Sequence, residues 1–573
     1  MDKKQVVSIL EEIGMLLELK GENPFKSRAY FNAARIIDGL GTNLGELVGS
    51  GEISRIKGIG EALSQKITEL VTTGHLKYYE GLRASFPDGI LAMLSIPGLG
   101  PKKLKTLYEE LGIATIADLK KACEDDQLLT LDGFGKKSQE KILQGIQSLQ
   151  KHHDQHLTSI ALDHGQKLLE ALDKHPSILR LSLAGSLRRQ KETVKDIDMV
   201  ASAQDVGSVM DFFVTLPQVE SVIASGETES RVLLKSGINA DLRLVSDSQF
   251  PYALHHFTGS SEHNTAMRTR AKAQSMKMNE YGLFRAEAFV PCRDEAQIFK
   301  RLGLEYIPPE LREDMGEIEA AESGKLPRLI ELQDLKGIFH VHTTYSDGVV
   351  TLEEMALAAK NLGYQYLGIS DHSQSAFYAR GLKVEEVLRQ HKEIDSLNER
   401  LKPFCILKGI ESDILADGSL DYPDEVLARF DFVIAAIHSR FTMSQEQMTD
   451  RICRALQSKF VTMLAHPTGR LLLSREPYAL DVNRVIEVAA ANQVIIEINS
   501  HPQRLDLDWR LLKYAKSLGL MTSINPDAHD IEGFEDMRFG VGVARKGWLE
   551  PGDVLNAHTL LQVLDHLRRR KAA

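Results

Sequence analysis

The spacing of apolar positions changes character three times along the chain. From Val6 to Leu149 apolar residues recur with a period of about 3.6 in short runs broken by glycine, which predicts short amphipathic helices and an all-α region. Between Ile178 and Val245 the runs become alternating or continuous, as in LRLSLAGS, DIDMVAS, RVLLKSG and ADLRLV, and predict strands of a mixed sheet. A helical and mixed stretch runs to about Gly303, and the segment YIPPELREDMGEIEAAESGKLPRLIEL, with three prolines and a charged middle, then reads as a linker with short helices. After Gly337, seven strand-like runs (GIFHVH, YLGISDH, CILKGIE, FVIAAIH, VTMLAH, VIIEINSH and MTSINPDAH) alternate with helical patterns. That alternation predicts a β/α barrel, whose catalytic groups belong at the C-terminal ends of the strands.

Composition narrows the class. A chain of 573 residues is long enough for roughly four domains. No stretch approaches the ~18 apolar residues of a membrane span. The segment Met1 to Glu12 carries acids where a secretory signal needs an apolar core, and Cys123, Cys292, Cys405 and Cys453 form no CxxC pair. A soluble cytoplasmic protein with no membrane partner is expected. The net charge of −11 argues against coating nucleic acid by charge alone, but residues 1 to 150 hold 19 basic and 20 acidic side chains and are nearly neutral. Contact with nucleic acid must therefore be local.

The helical region contains a repeat. IKGIG (Ile56 to Gly60), IPGLG (Ile96 to Gly100) and LDGFG (Leu131 to Gly135) recur at spacings of 40 and 35 residues, each before a helical pattern. Each fits a helix-hairpin-helix, in which the glycines (Gly58 and Gly60, Gly98 and Gly100, Gly133 and Gly135) turn backbone N–H groups toward a phosphate oxygen. One such loop is ordinarily a helix cap. Three, followed by Lys66, by Lys102, Lys103 and Lys105, and by Lys136 and Lys137, read as sequence-independent grips on a DNA backbone.

Two constellations carry chemistry. Gly185 and Ser186 end one apolar strand, and after nine intervening residues Asp196 and Asp198 lie two apart on another, so both carboxylates face one side. Asp241 in NADLRLV is a third acid on a later strand, and such an oxygen set suits Mg²⁺ together with substrate phosphates. In the barrel, His340 and His342 are two apart on one strand, Asp347 follows in TTYSDG, and His372, Glu411, His438, His466, Asp527 and His529 fall at or just after strand ends. Nine ligand-type residues in one cup require several cations, because packed imidazoles and carboxylates without metal would leave desolvated polar groups. Mixed nitrogen and oxygen donors suit Mn²⁺, Fe²⁺ or Zn²⁺, and a bridging carboxylate such as Glu411 equips the cup for phosphoester hydrolysis. His391 reads as a helix-face residue, Asp371 as a candidate for the layer behind the ligands, and His501 is undecided.

GS followed at this spacing by DxD, together with HFTGSSEHN (His256 to Asn264), two of the glycine loops and NPFKSRAY, resembles the DNA polymerase X family over residues 1 to about 317. The resemblance implies that Asp196, Asp198 and Asp241 bind two Mg²⁺ or Mn²⁺ ions and that Asp241 takes the primer 3′-hydroxyl proton. It implies that Gly185, Ser186 and Arg189, with Arg188 less directly, hold the incoming triphosphate, and that His256, Phe257, Gly259 and Asn264 line its sugar and base. His256 replaces the family's usual tyrosine, which bears on ribonucleotide exclusion, and Asn239 stands where the eukaryotic relative has an arginine. The family's lyase activity would put a Schiff base on Lys66, with Lys26 on phosphate, although Ala62 and Phe25 replace a supporting lysine and histidine.

HVHTTYSDG, SDHS, GIESDIL, IHSRF, LAHPTGR and INPDAHD resemble the polymerase and histidinol phosphatase (PHP) domain from residue 336 to about 570, with all nine metal-binding positions of that family filled. The combination implies three Mn²⁺, Zn²⁺ or Fe²⁺ ions and the bacterial architecture of a polymerase fused to a phosphoesterase. The expected fold is multidomain: a helical domain (1–82), a helix-hairpin-helix region (83–150), an α+β nucleotidyltransferase palm (151–248), a thumb (249–317), a linker (318–335) and a distorted (β/α)7 PHP barrel (336–573). The expected activity is gap filling on gapped or primed DNA with dNTPs, by a monomer. The barrel would act as a manganese-dependent 3′–5′ exonuclease and also cut at abasic sites. Two alternatives stay open: a small-molecule phosphatase in the barrel, or a DNA-end binding module with weak synthesis.

Overall fold

A computed structural model of the protein describes residues 3–38, 44–56, 58–94, 96, 99–152 and 154–572. The chain divides into two compact units, Met1–His153 and Asp154–Ala573.

The first unit is helical throughout its described residues. Helix Lys3–Lys20 buries Val6, Leu10, Ile13 and Leu17, spaced to form one stripe, against Tyr30, Ala34 and Ile37 of helix Pro24–Asp38. The close approach relies on Gly14, where a Cβ would come within 2.8 Å of the Phe31 ring. A second core joins Ile90, Met93, Leu104, Leu107, Ile142 and Ile146.

The second unit begins with a five-stranded sheet of β1 (Ile178–Leu183), β2 (Asp196–Ala203), β3 (Val219–Ser225), β4 (Glu229–Leu234) and β5 (Asn239–Val245), in the order β1-β2-β5-β4-β3. Only the central pair β2–β5 is parallel. Helices Thr158–Leu172 and Val206–Val214 cover one face, and helix Phe250–Thr258 contributes Phe250, Ala253 and Leu254 to a small core with Ala184 and Val200. Strand β3, which the apolar pattern does not single out, is an edge strand with Val222 and Ile223 exposed.

The segment expected to be a linker is instead packed. Ala321 and Leu329 belong to the core around Tyr252, Met267 and Phe299, while Ile330 and Leu335 belong to the barrel core. Two of its charges, which suggested solvent, are buried as pairs: Arg312 with Glu295 at 2.6 Å and Glu317 with His263 at 2.8 Å.

The barrel contains β6 (Gly337–Val341), β7 (Tyr366–Ile369), β8 (Cys405–Asp413), β9 (Phe432–Ala436), β10 (Met463–Leu464), β11 (Ile495–Asn499) and β12 (Thr522–Asn525), all parallel and in sequential order. A bridge from Val341 to Ala528 nearly closes the ring. All seven expected strands are present, and β10 is only two residues long. The barrel is distorted where β6 shifts register between Ile338 and Val341, so His340 adopts φ 58° and His342 lies just past the strand end. The two rings converge through this bulge and not through simple alternation. No described helix is long and apolar enough to cross a membrane.

Candidate active sites

On the five-stranded sheet, the parallel register sets Asp198 beside Asp241 and Asp196 beside Asn239. One oxygen from each of Asp196, Asp198 and Asp241 lies within 4.8 Å of the others. Burial and then the two neighbouring carboxylates push the Asp198 carboxyl up to about 7, and burial and then Asp241 raise Asp196. Three mutually repelling acids without an imidazole are a donor set that a hard cation would neutralise. Gly185, at φ 59°, is required here because a Cβ would sit 1.9 Å from Asp198 Oδ2.

Arg231, which sequence reading overlooked, faces Asp241 across the antiparallel β4–β5 pair and donates to both of its oxygens at 2.6 and 2.7 Å. Arg243 makes the matching pair with Glu229 and lies over the Phe257 ring at 4.6 Å. Ser186, Arg189 and Asp196 line a cavity of about 410 Å³ together with Lys191, Lys195 and, from the barrel, Leu472 and Arg510. Arg189 Nη1 donates to the Thr258 carbonyl and would be 3.0 Å from a Cβ on Gly259. Asn264 donates to the His256 carbonyl at 2.7 Å, which ties helices Phe250–Thr258 and Ser261–Ala273 together, and the His256 ring lies edge-on to Phe257. Arg188 is committed elsewhere, to Glu295 and Thr258.

All nine expected barrel residues meet in one cup. Their donor atoms fall into four overlapping groups: His342, Asp347, His372 and His529; His340, His466 and Asp527; His340, His342 and Glu411; and His372, Glu411 and His438. Glu411 Oε1 stands 3.0 Å from His466, 3.3 Å from His438 and 3.3 Å from His340. His340 Nε2 and both ring nitrogens of His342 are buried without a hydrogen-bond partner among the described residues. Three imidazole nitrogens 3.0–3.3 Å from one carboxylate oxygen, with further ring nitrogens left unpaired, match neighbouring ligands of one ion with bonds of about 2.0–2.2 Å. The residues therefore fit metal.

Electrostatics agree. Burial opposes it, but Glu411 and Asp347 raise His372 to about 10, and against the same burial Glu411 and Asp413 raise His438 to about 9. Burial, then His529 and His372, push His342 down to about 3. Three of the nine, His340 (φ 58°), His466 (φ 26°) and Asp527 (φ 56°), hold backbone angles that side chains rarely adopt, which the surrounding sheet must enforce.

A supporting layer was missed in the sequence. Glu497 accepts from His340 Nδ1 at 2.5 Å and from the His466 backbone N–H at 2.8 Å, and Asp413 accepts from His438 Nδ1 at 2.7 Å. A signal existed: Glu497 is an acid inside the apolar run VIIEIN, and Asp413 lies two residues after Glu411 on β8. Asp371 accepts from the Thr343 N–H and hydroxyl and from Ser346, so it shapes the loop leading to Asp347. His391 lies outside the cup against Phe430, and the Nδ1 of His501 accepts from the Gln503 backbone.

In the helical unit, Gly60 and Gly100 are the N-caps of helices Glu61–Thr73 and Pro101–Leu111, and Gly135 precedes helix Lys136–His152. Each loop closes with the same turn: Ile59 to Ile56, Leu99 to Ile96 and Phe134 to Leu131. Gly58 (φ 99°) and Gly133 (φ 81°) are left-handed, and Gly98 lies outside the described residues. Lys66 donates to the Tyr30 hydroxyl at 2.8 Å and lies 4.3 Å over the Tyr78 ring; burial and then Lys26 lower its pKa.

Comparison with known proteins matches this arrangement. Family models match for a helix-hairpin-helix domain (residues 1–76), a SAM-like helix-hairpin-helix tandem (90–148), the DNA polymerase beta thumb (253–313) and the PHP domain (339–501). The chain is 42% identical over 573 residues to the DNA polymerase/3′-5′ exonuclease PolX of Bacillus subtilis, covering 99% of this chain and 100% of that protein. It is 25% identical over 300 residues to rat DNA polymerase lambda, covering 46% of this chain and 48% of that one. A probable phosphatase of Acetivibrio thermocellus is 31% identical over 166 residues, covering 28% of this chain and 64% of that protein. With likeness over the whole length and a PHP domain behind the polymerase thumb, the chain belongs to the bacterial DNA polymerase X family.

Proposed function

We propose that the protein fills short gaps in DNA by templated addition of dNTPs at the sheet carboxylates and trims DNA 3′ ends in the barrel cup, working as a monomer. The observation that carries this reading is the presence of two separate metal-competent clusters in a member of this family. Asp196, Asp198 and Asp241 would hold two Mg²⁺ or Mn²⁺ ions, which when bound neutralise the attacking and leaving oxygens of an in-line displacement. Ser186 and Arg189 bind the triphosphate from the cavity side, and Phe257 and Asn264 set the sugar and base. Asp241 accepts the 3′-hydroxyl proton once Arg231 turns away from its oxygens.

In the cup the nine ligands would hold three Mn²⁺, Zn²⁺ or Fe²⁺ ions, whose Lewis acidity when bound assists attack of water on a phosphodiester. Glu411 bridges the groups, and Glu497 and Asp413 fix the tautomers of His340 and His438. The helix-hairpin-helix loops grip the DNA backbone, with Lys26 on a phosphate. The partly desolvated Lys66 is the proposed Schiff-base amine for removal of 5′-deoxyribose phosphate. The likeness to a probable phosphatase keeps one rival in view, a small-molecule phosphatase in the barrel.

The test uses a 5′-labelled primer on a one-nucleotide gap with Mn²⁺. Asp198→Ala is expected to lower extension by at least about 100-fold while 3′ shortening persists, and His342→Ala to do the reverse. Shortening that survives His342→Ala, or a phosphate-monoester turnover far above that on DNA ends, would reassign the barrel.

A further inference from the structure

The barrel reaches into the polymerase site through one buried cation. Lys546 ends helix Met537–Lys546 on the outside of the barrel, and its ammonium group is fully enclosed. Its three protons have three acceptors outside the barrel: Glu313 Oε1 at 2.6 Å, the Arg189 carbonyl at 2.9 Å and the Glu310 carbonyl at 3.4 Å. The same Glu313 oxygen accepts from Arg189 Nε at 3.0 Å, and its other oxygen stands 3.6 Å from Lys191. Arg189 itself is nearly buried. Lys546 thus touches the triphosphate-side arginine twice, once through its backbone carbonyl and once through the carboxylate that anchors its guanidinium.

The contact has a scaffold. The Lys546 ammonium stacks 4.6 Å over Trp509 of the barrel, Arg545 pairs with Glu310 at 2.8 Å and Arg510 pairs with Glu192 at 2.8 Å, so the barrel surface is pinned both to the palm at Glu192 and to the segment that carries Glu310 and Glu313. Gly542, one turn earlier on the helix, lets the Gln190 side chain approach closely: a Cβ there would meet Gln190 Oε1 at 1.9 Å.

We infer that Lys546 of the PHP barrel is a positioning residue of the polymerase site, holding Glu313 so that Arg189 presents its guanidinium to the triphosphate. The inference rests on the reading of Arg189 as a triphosphate ligand. The direction of the effect follows from charge. While Lys546 compensates Glu313, the carboxylate orients Arg189 without claiming its whole charge. Without Lys546, a buried carboxylate falls back on Arg189 and Lys191, and it competes with the incoming phosphates for the same guanidinium. The loss appears in nucleotide binding and leaves hydrolysis in the cup untouched, because Lys546 approaches none of the cup ligands.

The test is single-nucleotide insertion by the full chain on a one-nucleotide gap, with KM for the dNTP and kcat measured separately and 3′–5′ hydrolysis of single-stranded DNA measured on the same preparations. Lys546→Met is expected to raise the dNTP KM by about tenfold, the scale of coupling within one ion-pair network, with a smaller change in kcat and normal hydrolysis. Lys546→Arg, which keeps the cation, is expected to restore most of the loss. In a Glu313→Gln background, Lys546→Met is expected to add much less to KM than it does alone, because only its carbonyl contacts remain to be lost. A wild-type KM in Lys546→Met, or a full additional loss in the Glu313→Gln background, overturns the inference. Arg189→Lys separates the two levels. If it raises KM while Lys546→Met does not, only the positioning role fails; if it leaves KM unchanged, the triphosphate reading of Arg189 fails and the inference with it.

Discussion

The two metal-competent sites are built on opposite principles. The palm offers three carboxylates on neighbouring strands, with no imidazole in the group and an arginine clasping one of them. The barrel offers six imidazoles and three carboxylates, five of the nine buried, with a further layer of acids behind them. The difference is instructive. A site whose ions are completed by substrate phosphates must be unfinished when empty, and mutual repulsion in the palm is what leaves it unfinished. A site that hydrolyses varied ends needs its ions in place beforehand, and the barrel has the ligands to hold them.

The contrast can be broken first at its supporting layer. Glu497→Gln, which weakens the hydrogen bond fixing His340, is expected to lower metal affinity of the cup about 10- to 100-fold, with 3′ shortening recovering at high Mn²⁺ and gap filling unaffected. Titration of both activities with Mn²⁺ checks this, and equal shifts in the two would erase the distinction. A smaller change is expected at the palm. Arg231→Ala frees both oxygens of Asp241, and because the arginine is half exposed its pair is worth about 1 kcal/mol or less. The Mg²⁺ concentration for half-maximal synthesis should fall about two- to fivefold, and a rise would assign Arg231 a supporting role in catalysis.

The smallest effect concerns a histidine outside the cup. Burial pushes His391, packed edge-on against Phe430, down to about 4, unlike His372 and His438, which neighbouring carboxylates raise. Its folded pKa lies below the unfolded value, so the unfolded chain gains the proton first as pH falls. The stabilisation is whole above about pH 6.5 and drains away toward pH 4. His391→Leu should flatten this acid limb in the melting temperature of the protein, and an unchanged limb would show that other groups dominate it.

Much of this was legible because polar residues at the ends of apolar strands are conspicuous. His340, His372, Glu411, His438, His466 and Asp527 each interrupt a run that would otherwise be core, and the glycine loops recur in plain view. What escaped depended on register and closure. The left-handed backbone at His340, His466 and Asp527 arises only when the barrel closes, and no local pattern announces it. Arg231 acquires meaning only when β4 pairs with β5 and sets it opposite Asp241. Lys546 in ARKGW reads as an ordinary basic helix end, and Pro308, Pro309 and the acids around them read as a linker, because charge pairing between distant segments has no sequence signature. Glu497 is different. It could have been found, since an acid inside VIIEIN has no other reason to be there.

The most direct test of the central claim is metal content per chain, measured by mass spectrometry on protein loaded with Mn²⁺ and passed through a metal-free column without DNA or nucleotide. Retained metal that disappears in His342→Ala and is unchanged in Asp198→Ala is the expected result: a finished site in the barrel and an unfinished one in the palm. Metal lost in Asp198→Ala but kept in His342→Ala would contradict it.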